Sequence, residues 1–303
     1  MSDYSIETRQ LTHYFGRDEK VLDNICLQVP KGAVYGFLGP NGAGKTTTLR
    51  LLLGLLKKQT GSIKLLGADL TTHRIPLLKR VGTLIESPSV YAHLTATENL
   101  ELLRCLYGCH RSRINTVLEL VKLDDTGRKK AGQFSLGMKQ RLGIAIAMLH
   151  DPELLVLDEP TNGLDPAGII EMRALLQQLN RETGLTILIS SHLLSEIEKL
   201  VTYVGVINKG KLLYQGELSA LVHRKGPVTN TLIDCSDAAR ALQLSRELGL
   251  QGTLNNGGLL LENVPRDMMA ALNQQLVLAG ISVYEINPAK HELENVFMDL
   301  INN

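Results

Sequence analysis

The stretch Gly39-Pro40-Asn41-Gly42-Ala43-Gly44-Lys45-Thr46-Thr47 constrains this chain more than any other. It follows Ala33-Val34-Tyr35-Gly36-Phe37-Leu38, an apolar run with the length and bulk of a buried strand. It precedes Thr48-Leu49-Arg50-Leu51-Leu52-Leu53, which reads as a helix running to about Leu56. Strand, glycine-rich turn, Lys-Thr and helix form the context that makes a G-x-x-x-x-G-K-[ST] match a P-loop rather than a chance turn. Glycines at 39, 42 and 44 let the backbone turn sharply and approach an anion with no Cβ between. The N–H groups of the loop and of the helix N-terminus then make a concave donor site for phosphate oxygens. Lys45 brings a point charge to the terminal phosphates, and the Thr46 hydroxyl is placed to hold Mg²⁺.

With 303 residues the chain has room for one large domain, or for a large and a small one. Apolar residues make up 44% and charged residues 21%, ordinary for a globular protein that buries a core. Lys and Arg total 32 against 31 Asp and Glu, a net charge of +1 that leaves no electrostatic footprint for nucleic acid. No apolar run reaches membrane-spanning length. Met1-Ser2-Asp3-Tyr4-Ser5 lacks the basic and apolar regions of a signal peptide, so the expectation is a chain on the cytosolic side. The cysteines are Cys26, Cys105, Cys109 and Cys235. Cys105 and Cys109 would share a helix face just before His110, but no second ligand pair stands at zinc spacing, and they read as small apolar residues.

Two organisational blocks follow from pattern. The first, residues 1–218, opens with alternating runs Ile6–Leu11 and Val21–Val29 joined by a polar turn, an antiparallel pair. Ser62–Gly67 and Val81–Ile85 read as strands. Thr95-Ala96-Thr97-Glu98 is a capping-box pattern that opens a helical subdomain at about 94–140, with helices to Leu106 and over Ser112–Val121. A helix over Gly137–Leu149 leads to the apolar strand Leu154–Leu157, then a helix over Pro166–Arg181 and the strand Thr186–Ser190, a βαβ crossover. A hairpin turning at Asn208-Lys209-Gly210 closes the block. The second block, residues 219–303, holds a linker at Arg224–Pro227, then strand Thr229–Cys235, helix Asp237–Leu248 and a hairpin turning at Asn255–Gly258. Helix Arg266–Ala279, strand Ile281–Ile286 and a last helix over His291–Ile301 follow. That βαββαβ order is ferredoxin-like, a small α+β lobe on an α/β domain.

Asp158 and Glu159 end the apolar strand before Pro160. There Asp158 can hold the Mg²⁺ shell, and Glu159 can polarise a water for in-line attack on a γ-phosphate. The alternative is a solvated acidic strand end. His192 follows the next strand, where open parallel sheets place their ligands, and can hydrogen-bond the γ-phosphate. Its alternative is a cap on the following helix.

With these residues in order, the chain resembles the ATP-binding subunits of ABC transporters. Phe134-Ser135-Leu136-Gly137-Met138-Lys139-Gln140-Arg141 resembles the family's signature motif, Asn162-Gly163-Leu164-Asp165 its D-loop, and His192 its switch histidine. The resemblance spans about Ser5 to Gln215. It implies a P-loop NTPase fold with an antiparallel β-subdomain and a helical subdomain. It also implies a head-to-tail dimer holding ATP and Mg²⁺ between one copy's P-loop and the other's Ser135 and Gly137. Two departures stand out. Leu136 and Met138 replace the usual Gly and Gln, and Glu86 stands where the Q-loop glutamine is expected to reach the metal. Both are similar to the bacitracin-resistance and lantibiotic-immunity branch of exporters, as is the tail His291–Phe297. Members of that branch work with a separately encoded membrane permease, which implies a peripheral place on the cytoplasmic face of the cell (inner) membrane. Phe15 matches the aromatic that stacks on adenine better than its neighbour Tyr14, and one of the two is expected in the core.

Two other classes are weighed against this. A soluble ABC ATPase of ribosomes or DNA would carry paired cassettes, sustained heptads or a basic stripe. A ligand sensor in the small lobe would need polar residues converging on one place, and none do between 229 and 287.

Overall fold

Strands buried on both faces and strands that alternate sort into different sheets here. The computed structural model describes residues 3–16, 19–86, 88–223, 230–255, 257–262, 264–289, 297, 300 and 301. It divides into two units, Met1–Leu218 and Ser219–Asn303.

In the first unit, β1 (Tyr4–Phe15) is the hub of an antiparallel sheet with β2 (Glu19–Ile25), β3 (Gln28–Pro30), β5 (Thr60–Leu65) and β6 (Ala68–Asp69). The alternating run expected over Val21–Val29 is therefore two strands. Thr8 Oγ1 spans the break, donating to Ile25 O at 2.9 Å and accepting the Leu27 N–H at 2.7 Å, so a hydroxyl replaces the ladder there. The strand expected from Ser62 begins at Thr60, and turns back through Leu66-Gly67 into the short β6.

The second sheet runs β11-β10-β4-β9-β8-β7, built from β4 (Val34–Leu38), β7 (Val81–Leu84), β8 (Leu154–Asp158), β9 (Thr186–Ser191), β10 (Tyr203–Asn208) and β11 (Lys211–Glu217). All neighbours are parallel except β10 and β11, which form the expected hairpin. Every residue of β4, β8 and β9 is buried, the mark of central parallel strands covered on both faces. The order matters for function, because β9 lies between β4 and β8. Leu38 pairs with Ser191 and Asp158 with Ser190, so three strands end side by side at one edge.

Helix α1 (Lys45–Leu52) follows β4 and is shorter than the leucine run suggests. It stops because Gly54 turns the chain at φ +63°, where Leu53 and Leu55 no longer extend a helical face. A short α2 (Arg74–Leu78) precedes β7. The helical subdomain holds α3 (Ala96–Tyr107), α4 (Ser112–Leu120) and α5 (Leu136–Met148). The capping box at its entrance is formed: Thr95 Oγ1 accepts the Glu98 N–H at 3.1 Å, and Glu98 Oε2 accepts the Thr95 N–H at 2.7 Å. Helix α6 (Pro166–Thr183) crosses from β8 to β9, and α7 (Leu194–Ile197) follows β9.

Helix α8 (Leu218–His223) starts at the last residue of the first unit. The second unit continues with β12 (Asn230–Cys235), α9 (Ala238–Glu247), β13 (Gly252–Asn255), β14 (Gly258–Leu261), α10 (Arg266–Leu278) and β15 (Val283–Ala289). Its sheet is antiparallel in the order β13-β14-β12-β15, over a core that includes Ile233, Leu259, Leu261, Leu272 and Leu276. The expected linker Arg224–Pro227 and most of the expected helix His291–Ile301 lie outside the described residues.

Candidate functional site

At the shared strand edge, β4 gives way to the glycine-rich loop. The Gly39 N–H donates to Ser191 O at 3.3 Å, and a Cβ on Gly39 would lie 2.3 Å from Ile207 O, so no other residue fits there. Gly44 takes φ +107° at the N-cap of α1, and a Cβ on it would meet Leu22 Cδ2 at 2.6 Å. No side chain caps α1, which leaves the N–H groups of its first turn for an anion. Gly210, in the β10–β11 turn, donates its N–H to Ala43 O at 3.0 Å and accepts the Asp23 N–H at 2.8 Å, bracing the loop against β2. Lys45 is buried, and its Nζ folds over the loop to donate to Gly39 O at 2.8 Å and Pro40 O at 3.3 Å.

The acidic pair completes this edge. Asp158 is buried; its Oδ2 accepts from Thr46 Oγ1 at 2.9 Å and its Oδ1 from Ser190 Oγ at 2.5 Å. The Ser190 hydroxyl in turn accepts the Glu159 N–H at 2.9 Å. Glu159 adopts φ +47°, a left-handed conformation uncommon for a residue with a Cβ. In that turn its carboxylate lies with Oε1 3.3 Å from Lys45 Nζ and Oε2 3.1 Å from His192 Nδ1. His192 does not cap the next helix, whose N-cap is Leu193 with no side-chain hydrogen bond. One continuous polar chain thus runs Thr46–Asp158–Ser190–Glu159, with Lys45 and His192 on the last carboxylate. Ser190 has no motif of its own in the sequence. Only the β8–β9 register, which sets it opposite Asp158, could have found it.

The other candidates lie apart from this chain of contacts. Glu86 ends the β7 segment at φ +62°, and its carboxylate pairs with Arg50 of α1, not with Thr46 or Asp158. Ser135 is the N-cap of α5 and its Oγ accepts the Met138 N–H at 3.2 Å. The start of α5 touches the Asn162–Asp165 loop: a Cβ on Gly163 would lie 3.1 Å from Leu136 Cδ2, and one on Gly137 3.7 Å from Leu164 Cδ2. Phe15 ends β1 with 41% of its surface exposed. The expectation that Phe15 or Tyr14 fills the core is not met: the alternation that buries Leu11 also buries His13, and Phe15 projects at the end of the strand. Tyr14 is half-buried, with Lys20 Nζ 5.7 Å from its ring centre.

Thr46 and Asp158 offer hard oxygen donors 2.9 Å apart, a set that suits Mg²⁺ completed by phosphate and water. The four cysteines are free, and among the described residues no three His, Cys, Asp or Glu side chains group as a metal site.

A family model described as ABC transporter matches residues 22–162. The chain is 43% identical over 297 residues to the bacitracin transport ATP-binding protein BcrA of Bacillus licheniformis, an alignment covering 98% of this chain and 97% of that protein. It is 42% identical over 212 residues to the lantibiotic transport ATP-binding protein SrtF of Streptococcus pyogenes, covering 70% of this chain and 90% of that one. Among solved structures, cbiO1 from Clostridium perfringens, described as part of the ABC transporter complex cbiONQ, matches with a TM-score of 0.69. Its identity is 25%, over 74% of this chain and 92% of the other.

Proposed function

This chain belongs to the ABC transporter family as an ATP-binding, ATP-hydrolysing subunit, and from that premise we propose that it energises export of a drug or peptide antibiotic through a separate membrane permease. The observation that carries the reading is the contact of Glu159 with both Lys45 and His192, at 3.3 and 3.1 Å, beside the Thr46–Asp158 pair. In this reading Lys45 exchanges its carbonyl partners for the terminal phosphates, and the residues 39–47 cradle them through backbone N–H groups. Glu159 takes a proton from the attacking water, and His192 orients Glu159 and the γ-phosphate. Thr46 and Asp158 would hold Mg²⁺, with Glu86 joining them on leaving Arg50, and the ion would neutralise phosphate charge. Phe15 stacks on the adenine.

A second copy completes the site. Ser135 and Gly137 stand at the exposed start of a helix, a ready anion donor, where Ser135 caps its own helix and Leu136 and Gly137 lie beside the Asn162–Asp165 loop. They therefore serve the γ-phosphate of a head-to-tail partner. Residues 219–303 form a separate accessory domain. In this reading the chain sits peripherally on the cytoplasmic membrane face beside the permease, a place supported by its likeness to bacitracin and lantibiotic transport ATP-binding proteins. Among the described residues no helix is long and apolar enough to cross a membrane.

The test is to recover the tagged chain from its native membranes in mild detergent. A stoichiometric partner with several membrane spans is expected. Recovery with ribosomes or nucleic acid alone would overturn the exporter reading and leave the ATPase chemistry standing.

A further inference from the structure

We propose that His13 is the positioning residue for the base-stacking ring: it holds Phe15 in place against adenine and so sets the base-dependent part of nucleotide affinity. The proposal rests on the reading of Phe15 as the stacking residue.

His13 and Phe15 are two apart on β1, on the same face of the strand. Their ring centres are 5.0 Å apart and their planes stand at 89°. Whichever ring presents its edge, at least one face of Phe15 stays uncovered, as its exposure of 41% requires of a platform. His13 itself is 5% exposed, so one ring is rooted in the domain and the other projects from it. The residue between them is fixed independently. Gln59 accepts the Tyr14 N–H through Oε1 at 2.7 Å and donates through Nε2 to Tyr14 O at 3.1 Å.

The same pair is tied to the phosphate end of the site. His13 stands opposite Leu22 in the β1–β2 ladder, and the Leu22 side chain reaches the Gly44 position of the loop. The distance between a base on Phe15 and phosphates on the loop is therefore set by the β1–β2 pair as it sits on Gly44.

Packing alone does not account for a histidine here. Its Nδ1 is buried without a hydrogen-bond partner among the described residues, a cost that a leucine, filling a similar volume without a ring, would avoid. Burial also pulls its pKa below the ordinary value, which keeps the ring neutral at neutral pH. What the imidazole adds is a flat, polarised ring held perpendicular to Phe15.

The test compares two probes on the full-length chain, ATP and inorganic tripolyphosphate, which shares the phosphates and lacks the base. His13→Leu is expected to weaken ATP by up to about tenfold, the scale of one aromatic pair contact, and to leave tripolyphosphate unchanged. Unchanged tripolyphosphate binding also shows that the variant is folded. His13→Phe, which restores a ring, should recover at least half of the lost affinity. In a Phe15→Ala background, His13→Leu should add no further loss. Equal weakening of both probes, or of neither, would overturn the proposal while Phe15 kept its role. Should Phe15→Ala bind ATP as well as the parent does, the stacking reading falls, and this proposal with it.

Discussion

The Ser190 hydroxyl donates to Asp158 Oδ1 at 2.5 Å, and Ser190 Oγ itself accepts the N–H of Glu159 at 2.9 Å. This is possible because β9 lies between the strand that leads into the phosphate loop and the strand that carries the acids. One oxygen of Asp158 is taken by Ser190, which turns the other toward Thr46 and the metal position. Replacement of Ser190 by Ala leaves a buried carboxylate oxygen short of a donor and the Glu159 N–H short of an acceptor. Each such loss costs about 1–3 kcal/mol. Ser190→Ala is therefore expected to lower urea stability by at least about 2 kcal/mol. A misplaced metal-side carboxylate should also slow turnover, by at least about tenfold at saturating ATP. Steady-state hydrolysis and urea unfolding measure the two effects, and wild-type values for both would show that the hydroxyl positions nothing.

Glu159 joins Lys45 and His192 through its two oxygens, so its substitution separates charge from shape. Glu159→Gln keeps the shape and removes the base. Turnover should fall by at least about 10²-fold, the scale of a lost general base. ATP binding should persist, because Lys45 gives up only a carboxylate that competes with phosphate for the same ammonium. Single-turnover hydrolysis alongside equilibrium binding of a fluorescent nucleotide checks this. Near-normal hydrolysis would take Glu159 out of the role.

Which parts of this site could be read from the chain alone depends on the range of the physics involved. The phosphate loop is local: an apolar strand, glycines at positions a Cβ cannot occupy, and a helix start all fall within twenty or so residues. Asp158, Glu159 and His192 are legible because each follows an apolar run, and parallel sheets gather the ends of such runs at one edge. Ser190 is not, since its role depends on the strand order β4-β9-β8 and a one-residue register. The partner of Glu86 is equally hidden, because Arg50 lies on a helix remote in sequence and Glu86 turns at φ +62°. His13 is the buried residue because β1 keeps its alternation from Leu11 to His13, while the extra residues of the register shifts fall on β2. Phe15, the strand's last residue, projects instead of continuing the buried row. Helix α1 ended early for a similar reason: the leucines promised continuation, and one glycine in the left-handed region overrode them.

Two histidines, His13 buried and His150 half-buried, make stability depend on pH. Desolvation lowers the pKa of His13, and of His150 as well. His150 stacks on Tyr107 at 4.5 Å, with Arg113 opposing its charge while Val81 O and Asp151 favour it. Above the unfolded value of 6.5 both rings are neutral in both states and contribute no pH dependence. As pH falls below 6.5 the unfolded chain takes up protons more readily than the folded one, so stability declines. The lowered carboxyls of Glu98, Glu101 and Glu153 start from an ordinary value of 4.5 and act mostly below this window. The urea midpoint should therefore be lower at pH 5.5 than at 7.5. His150→Phe, which keeps a ring against Tyr107 and removes the titration, should shrink that difference; an equal midpoint at both pH values in the parent would contradict the assignment.

Glu86 is shared between two claims, a surface ion pair with Arg50 and a place in the metal shell, and they predict different things. The pair is exposed, with 39% of the Arg50 side chain and 62% of the Glu86 side chain accessible, so it is worth about 0–1 kcal/mol. Stability should hold within about 0.5 kcal/mol when either partner is replaced. The metal role implies that Glu86 leaves Arg50 when nucleotide and Mg²⁺ bind. Glu86→Gln then removes a negative charge from the metal shell, and the Mg²⁺ concentration for half-maximal hydrolysis should rise by up to about tenfold, or 1.4 kcal/mol. Arg50→Gln should act in the opposite direction, because it frees Glu86 for the metal and lowers the Mg²⁺ requirement. Opposite shifts in the two Mg²⁺ titrations, with stability unchanged, would place Glu86 on the metal. Two superimposable titrations would leave it a surface acid paired with Arg50.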